Sequence, residues 1–304
     1  MLKKLLKVLL SIILILMLGI VGYSAKVYFD VKNTAKDMHE TIDRPKSEKR
    51  NKAVNIDGGE AFSVLLLGLD TGDLGRDEQG RSDSMMIATV SPKTNKTTIT
   101  SLPRDTRAEI VGHGTTDKIN HAYAFGGVPM AMDTVENLLD IPVDHYVSIN
   151  MKGLKELVDA VGGIDVNNTL DFSQDGTHFP VGNVHLTGET ALSFSRMRYE
   201  DPNGDYGRQG RQRQIIEGVI KKALSIKSVT NYKNILDALA DNMKTDLNWD
   251  DMMDIQSKYK SAFGVIEEGN LQGDGQMIDG VSYQIVSDGE LDRVQTMLKE
   301  QLAE

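Results

Sequence analysis

The 304-residue chain has no cysteine, which removes disulfides, zinc–thiolate sites, iron–sulfur clusters and a cysteine nucleophile from consideration. It has no excess of basic residues either. Lys and Arg total 34 against 44 Asp and Glu, a formal net charge of −10, so the broad basic footprint of a generic nucleic-acid binder is missing. No internal repeat is present, and only one apolar run reaches membrane length. Histidine carries no metal pattern: His113, His121, His145, His178 and His185 are scattered without ligand spacing and read as ordinary polar or interface residues. The single tryptophan, Trp249, and the methionines read as core.

What is present is ordinary globular composition. Hydrophobic residues are 40% and charged residues 26%, which excludes a wholly disordered chain. The length supports one large domain or two small ones, with a sizeable core and no need of staples. Near the N-terminus an uncharged run, Val8–Ala25, lies between Lys7 and Lys26 and is long enough to cross a bilayer once as a helix. Lys3, Lys4 and Lys7 precede it, so the positive-inside rule keeps the N-terminus in the cytoplasm and sends the remainder outside. The rival is a cleaved signal peptide, with only a weak small-residue site at Gly22 and Ser24. Residues 1–25 are therefore expected as a cytoplasmic tip and signal anchor of a single-pass type II membrane protein. From Lys26 to Glu60 charges of both signs alternate, apolar residues thin out and Pro45 breaks any helix. This stretch, 26–60, reads as a solvated extracytoplasmic stem or linker, helical as far as about Ile42. Residues 61–304 are expected to form one extracytoplasmic catalytic domain.

Within that domain Phe62–Leu69 is a continuous apolar run, the mark of a strand buried on both faces. Met85–Val90 and Thr97–Leu102 read as a hairpin around the turn Ser91–Asn95. Helical spacing appears in Pro129–Leu139, in Leu154–Val161 (closed by Gly162 and Gly163), in Gly188–Phe194, and strongly in Arg208–Ile226. Short strands are expected at Tyr146–Ile149, Ile164–Val166 and Tyr283–Val286, and further helices at Tyr232–Met243, Trp249–Phe263 and Leu291–Leu302. Strands interleaved with helices predict an α/β fold, a central sheet covered on both faces.

The densest chemistry lies between Arg196 and Arg213, where five arginines fall within eighteen residues of an acidic protein. Arg196 and Arg198 share a face if the segment is extended. Arg208, Arg211 and Gln212 have i, i+3, i+4 spacing at the start of a predicted helix, whose N-terminus already favours anions. Guanidinium forks there make a phosphate or pyrophosphate clamp. The alternative is a surface ion-pair network with Glu200, Asp201 and Asp205. A second constellation joins Asp70, directly after the buried strand, to Arg81-Ser82-Asp83 at the mouth of the next. Two carboxylates at adjacent strand ends can hold one Mg²⁺ together with substrate phosphates, with Arg81 aimed at the same phosphates; the alternative is plain turn chemistry. A third is Pro103-Arg104-Asp105-Thr106-Arg107, with Arg104 at a strand end and Asp105 as a candidate partner for an arginine.

Taken in order, these motifs resemble the LytR–CpsA–Psr family. The resemblance rests on Leu65–Asp70, Arg81–Met86, Ser101–Thr106, Lys118–Tyr123, Val158–Gly163, Arg196–Arg198, Gly204–Arg208 and Arg211-Gln212, and runs from about Phe62 to Ala223. It implies an extracytoplasmic enzyme, mainly of Gram-positive bacteria, with a central mixed β-sheet flanked by helices on both faces and an apolar tunnel for a polyprenyl chain. Such enzymes transfer a glycopolymer, wall teichoic acid or capsular polysaccharide among them, from a polyprenyl pyrophosphate carrier to peptidoglycan as a phosphodiester. By motif position, Asp70 and Asp83 would bind Mg²⁺, or Mn²⁺ in its place. Arg81, Arg104, Arg196, Arg198, Arg208 and Gln212 would hold the pyrophosphate, with Arg211 beside them. Asp205 is a candidate general base, and Arg196 and Arg198 are the arginines expected to be essential to transfer. Two departures stand out: Gly72 occupies a position where many members carry arginine, leaving Arg76 as a later candidate, and Arg107 replaces a common aromatic. Two other functions use the same residues: a hydrolase releasing the glycan phosphate to water, and a membrane-tethered lipid-glycan binder or regulator.

Overall fold

The computed structural model describes residues 22–71, 80–225 and 232–303. The expected run Phe62–Leu69 is strand β1, apolar on both faces because both faces are covered. Its antiparallel neighbour β2 (Ser82–Ser91) turns into β3 (Lys96–Leu102), the predicted hairpin. A small hairpin follows, β4 (Arg107–Ile110) with β5 (Thr115–Lys118), and then helix α2 (His121–Leu139), broken at Gly126 and Gly127 just before Pro129. Strand β6 (His145–Asn150) runs parallel to β1 and leads into α3 (Met151–Ala160). Short strands come next: β7 (Ile164–Asn168) pairs with β10 (Gly182–Leu186), and β8 (Phe172–Gln174) with β9 (Thr177–Phe179). Helices α4 (Gly188–Arg196), α5 (Asp205–Ser225) and α6 (Tyr232–Ala240) precede β11 (Met243–Thr245), α7 (Trp249–Lys258) and β12 (Ile266–Asn270). The hairpin β13 (Asp274–Ile278) and β14 (Val281–Ile285) and helix α8 (Asp288–Leu302) complete the chain.

The central sheet has the order β11-β6-β1-β2-β3-β12. It is mixed: β6 is parallel to β1, β12 is parallel to β3, and the remaining pairs are antiparallel. On one face Leu65 and Leu67 of β1 and Met85 and Ile87 of β2 pack against Val135 of α2 and Leu298 of α8. On the other, Phe62, Val64 and Leu66 look toward α5 and α7, with Met86 and Ala88 of β2 beside them. This alternation follows from the two-residue period of a strand. The α/β architecture is therefore as expected. Strand β14 matches the expected Tyr283–Val286 strand to within two residues, but its partner β13 and the small hairpins β4–β5 and β8–β9 went unpredicted, because strands such as Thr115–Lys118 are short and polar and carry no apolar alternation.

The segment expected as a solvated spacer behaves differently. Residues 22–38 form a helix, α1, and Thr34, Ala35 and Met38 in its last turns are buried. Arg44, only 6% exposed at its side chain, reaches Asp133 and Glu136 at 2.7 Å each. Ser47 also hydrogen-bonds Glu136, and Arg50 grips Asp144 with two bonds of 2.6 and 2.9 Å. The alternating charges are there to meet buried carboxylates, not only water. The expected anchor lies outside the described residues except for its last four positions. Among the described residues no helix is long and apolar enough to cross a membrane.

Candidate active site

Strands β1 and β3 run in the same direction and β2 opposes them, so the C-terminal end of β1, the N-terminal end of β2 and the C-terminal end of β3 share one edge of the sheet. That edge carries Asp70, Asp83 and Arg104. A register shift at Gly68/Leu69 leaves Ser82, Asp83 and Ser84 opposite two residues of β1. Such a bulge re-aims a side chain at the rim of a sheet. The first turn of α5, with Asp205 and Arg208, and the last residue of α4, Arg196, arrive at the same edge and close it from above.

Below this polar edge lies a cavity of about 670 Å³. It follows the sheet face from Phe62, Val90 and Thr97 at one end to Asp70, Asp83, Arg196, Arg208 and Gln212 at the other. Between the two ends its walls are aliphatic, from Leu66, Met86 and Ala88 of the sheet to Ile215, Ile216 and Val219 of α5. The arrangement is an apolar channel with a cationic head.

Charge at the head is unevenly matched. Arg104 donates to Asp83 Oδ1 at 2.6 Å. Burial works against its charge, but the carboxylates of Asp83, Asp105 and Asp205 outweigh that and hold its pKa above the ordinary guanidinium value. Arg208 pairs with Asp205 at 2.7 Å, yet its pKa lies below the ordinary value, first because it is buried and further because Arg104 and Arg198 crowd it. Its Nε is buried with no hydrogen-bond partner. A buried cation with an unpartnered donor, beside two further guanidiniums, suits an anionic ligand. Arg198 reaches Asp205 only at 3.9 Å and is 40% exposed, and Arg196 Nη2 rests 3.2 Å from the Met151 sulfur. Between these two Met197 is buried; Arg196 still belongs to α4 and only the chain after it is extended, so the two arginines do not share one extended segment, and Arg196 but not Arg198 lines the cavity. Arg81 is exposed at the entry to β2, and its backbone N–H donates to Asp70 Oδ1 at 2.9 Å.

The structure gives three of the expected site residues particular partners. Arg211 does not join Arg208 and Gln212 at the cavity. It turns into the core beneath α4, pairing with Asp201 at 2.7 Å, donating to the Met197 carbonyl and lying 5.3 Å over the Phe172 ring. The pair is almost completely buried, and it explains Gly207: a Cβ there would fall 1.8 Å from Asp201 Oδ2. Asp105 partners Lys118 at 2.7 Å rather than an arginine. Asp205, the candidate base, has one oxygen on Arg208 and the other accepting from Gln209 at 2.8 Å. Arg76 lies outside the described residues. Arg107, in place of an aromatic, lies 5.9 Å over the ring of Tyr283.

A metal has a partial donor set here. Asp70 and Asp83 both line the head of the cavity, and among the described residues no cluster of three or more Asp, Glu, His or Cys forms around them. Mg²⁺ is commonly held by one or two carboxylates and completes its shell with water and substrate phosphate. Two carboxylates beside an arginine cluster fit a cation that shares its ligands with a phosphate.

The chain matches the LytR_cpsA_psr family over residues 25–300. It belongs to the LytR–CpsA–Psr family. The match takes in the Arg44 clamp and the C-terminal helices, well beyond the Phe62–Ala223 motifs. Over 300 residues the chain is 59% identical to the polyisoprenyl-teichoic acid–peptidoglycan teichoic acid transferase TagU of Enterococcus faecalis, covering 99% of this chain and 98% of that one. Among solved structures, B. subtilis TagU shares 44% identity with a TM-score of 0.65, covering 81% of this chain and 98% of that chain. TagT bound to LI-WTA shares 29% identity with a TM-score of 0.73, covering 88% and 100%.

In this LytR–CpsA–Psr chain the residues that sequence reasoning missed are the walls. Asn150, Met151 and Ser195 reach the cavity head without belonging to any charged motif. The aliphatic lining has the same composition as a packed core. Only the doubly apolar face of β1, together with the wide apolar stripe of α5, hinted that two layers of apolar surface face each other there.

Proposed function

We propose that the chain transfers a teichoic-acid-type glycopolymer from a polyprenyl pyrophosphate carrier to peptidoglycan, leaving a phosphodiester. The observation that carries this is the apolar channel ending at the desolvated, under-partnered Arg208. It offers one continuous site to a molecule with a lipid tail and an anionic head. The names of the relatives support the same reaction. In this reading the isoprenoid lies along β1, β2 and α5, and Arg81, Arg104, Arg196, Arg198, Arg208 and Gln212 hold the pyrophosphate. Asp70 and Asp83 hold Mg²⁺ or Mn²⁺, which neutralises phosphate charge. A sugar hydroxyl of peptidoglycan forms a bond to the phosphorus next to the glycan, the bond to the bridging oxygen breaks, and polyprenyl phosphate leaves with the electron pair. Preorganised guanidiniums stabilise the charge on that departing group. Asp205, which pairs with Arg208 and accepts from Gln209, aims Arg208 and is the candidate to take the proton the hydroxyl gives up. The lysine-flanked apolar run supports a single-pass anchor with the N-terminus in the cytoplasm and the site outside, where carrier and wall meet.

The test is product analysis by mass spectrometry of the full chain in detergent, with a polyprenyl-pyrophosphate glycan, Mg²⁺ and peptidoglycan oligomers. A phosphodiester adduct that disappears in Arg196→Ala is the expected result. Glycan phosphate released without an adduct would make the chain a hydrolase, and lipid binding without turnover would make it a binder.

A further inference from the structure

A second hollow, of about 540 Å³, opens on the other side of α5. Its lining is polar: Asn203, Tyr206, Asn270, Gln272, Asp274 and Glu290 take part. The side-chain amides of Asn203, Asn270 and Gln272 and the carboxylate of Asp274 make no hydrogen bond to the described residues, so a row of planar donors and acceptors stands ready for a ligand. The floor, by contrast, is fixed. The Tyr206 hydroxyl accepts the Gly273 N–H at 2.7 Å and lies 3.2 Å from Gln284 Oε1, while Glu290 accepts the Gln272 N–H at 2.9 Å.

The hollow adjoins the arginine site. Gln284 donates its N–H to the Asp105 carbonyl at 2.9 Å, so the Tyr206 floor is tied directly to the Arg104 turn. Tyr206 also follows Asp205 in the first turn of α5. Residues two apart on a helix point to nearly opposite sides. Arg208 therefore faces the apolar channel while Tyr206 faces the polar hollow, and the two spaces meet at the N-terminus of α5 with the helix between them.

We propose that this hollow is a saccharide subsite that seats the acceptor glycan. The proposal rests on the transferase reading above. The amides of Asn203, Asn270 and Gln272 and the Asp274 carboxylate, set around a fixed tyrosine, suit the hydroxyl and acetamido groups of an N-acetylhexosamine chain rather than a lipid. The position suits a nucleophile: in phosphoryl transfer the attacking and leaving oxygens are roughly in line, so the acceptor must come from the side opposite the departing polyprenyl phosphate. A donor glycan has the same chemistry, and the kinetics separate the two.

Transfer is measured with the full chain, varying a soluble uncrosslinked peptidoglycan oligosaccharide and the lipid donor in turn. Asn203 and Gln272 are exposed, so Asn203→Ala and Gln272→Ala leave the fold intact. The double variant should raise the acceptor KM about tenfold, the loss of two modest hydrogen bonds, with kcat and donor KM unchanged. Asn203→Trp, which fills the hollow, should act in the same direction. Unchanged acceptor KM in both variants, with normal transfer by the wild type, overturns the subsite alone. A rise in donor KM instead assigns the hollow to the donor and overturns the acceptor role. Absence of transfer by the wild type overturns the transferase reading and the subsite with it.

Discussion

Arg208 and Arg211 sit three residues apart on one helix, and their fates differ because their partners do. Arg211 is matched by a buried carboxylate, a carbonyl and two aromatic rings. Arg208 shares the single carboxylate of Asp205 with Arg198 and is buried where the guanidiniums of Arg104 and Arg198 crowd it. Removing one member of a buried pair leaves an uncompensated charge, so Arg211→Ala should cost about 3–5 kcal/mol of stability. Arg208→Met removes a charge the folded state holds at a penalty, and should leave stability within about 1 kcal/mol while lowering transfer about 100-fold or more. Chemical denaturation alongside product assays checks both, and equal destabilisation by the two variants would undo the distinction. Arg208 and Gln212 were legible from i, i+4 spacing on a strongly periodic helix. The pairing of Arg211 with Asp201 was legible only as the alternative, an ion-pair network at the surface; that this pair is buried was not, because the path of the turn before the helix is not encoded in the spacing. Asp105 shows the same thing: its lysine partner comes from β5, a strand too short and polar to foresee.

At the scale of elements, the β1–β2 connection places the carboxylates. Gly80 lies so close to Asp70 that a Cβ there would fall 1.9 Å from Oδ1. Gly80→Ala must therefore displace the Asp70 carboxylate, with little burden on the core. Misplacement of a catalytic group by about 1 Å is typically worth a factor of about 100, so transfer should fall by tens to a hundredfold. The Mg²⁺ concentration for half-maximal rate should rise as well; a variant with normal Mg²⁺ dependence would mean that Asp70 does not hold the cation. Strands β1 and β3 were readable to within a residue from apolar runs and a Pro-containing turn, while β2 begins three residues before the expected Met85. The bulge that aims Asp83 was not, since it is a property of pairing and leaves no mark on either strand alone.

Across the whole molecule, ion pairs join segments far apart in sequence. Arg44 meets Glu136 and Asp133 of α2 from a segment whose composition resembles a linker, and a partner about ninety residues away cannot be read from local pattern. Arg44→Ala leaves Glu136 buried with its main partner gone and should cost about 3–5 kcal/mol, measured as a drop in the urea midpoint. Truncation to Ala53 should do at least as much harm. Asp140, which ends α2, ties it to α8 through Lys299 and to the stem through Lys49; these two hold its pKa at about 2, below the ordinary 3.8. A depressed carboxylate pKa adds stability above the ordinary value and loses it as pH falls toward the folded one. Asp140→Asn should thus cost up to about 1 kcal/mol near neutrality, screened because the groups are exposed, and nothing below about pH 2. Matched melting curves across that range, at low and high salt, give the answer. The 670 Å³ channel has a last consequence. In most domains the apolar layer between sheet and helix is a permanent part of the chain. On the function proposed above, part of that layer would instead come from the substrate, the tail of each incoming carrier lying between sheet and helix. A carrier at 100 times its Kd would stabilise the fold by about 2.7 kcal/mol. The resistance of the protein to heat and proteolysis then becomes a gauge of how much loaded carrier the membrane holds.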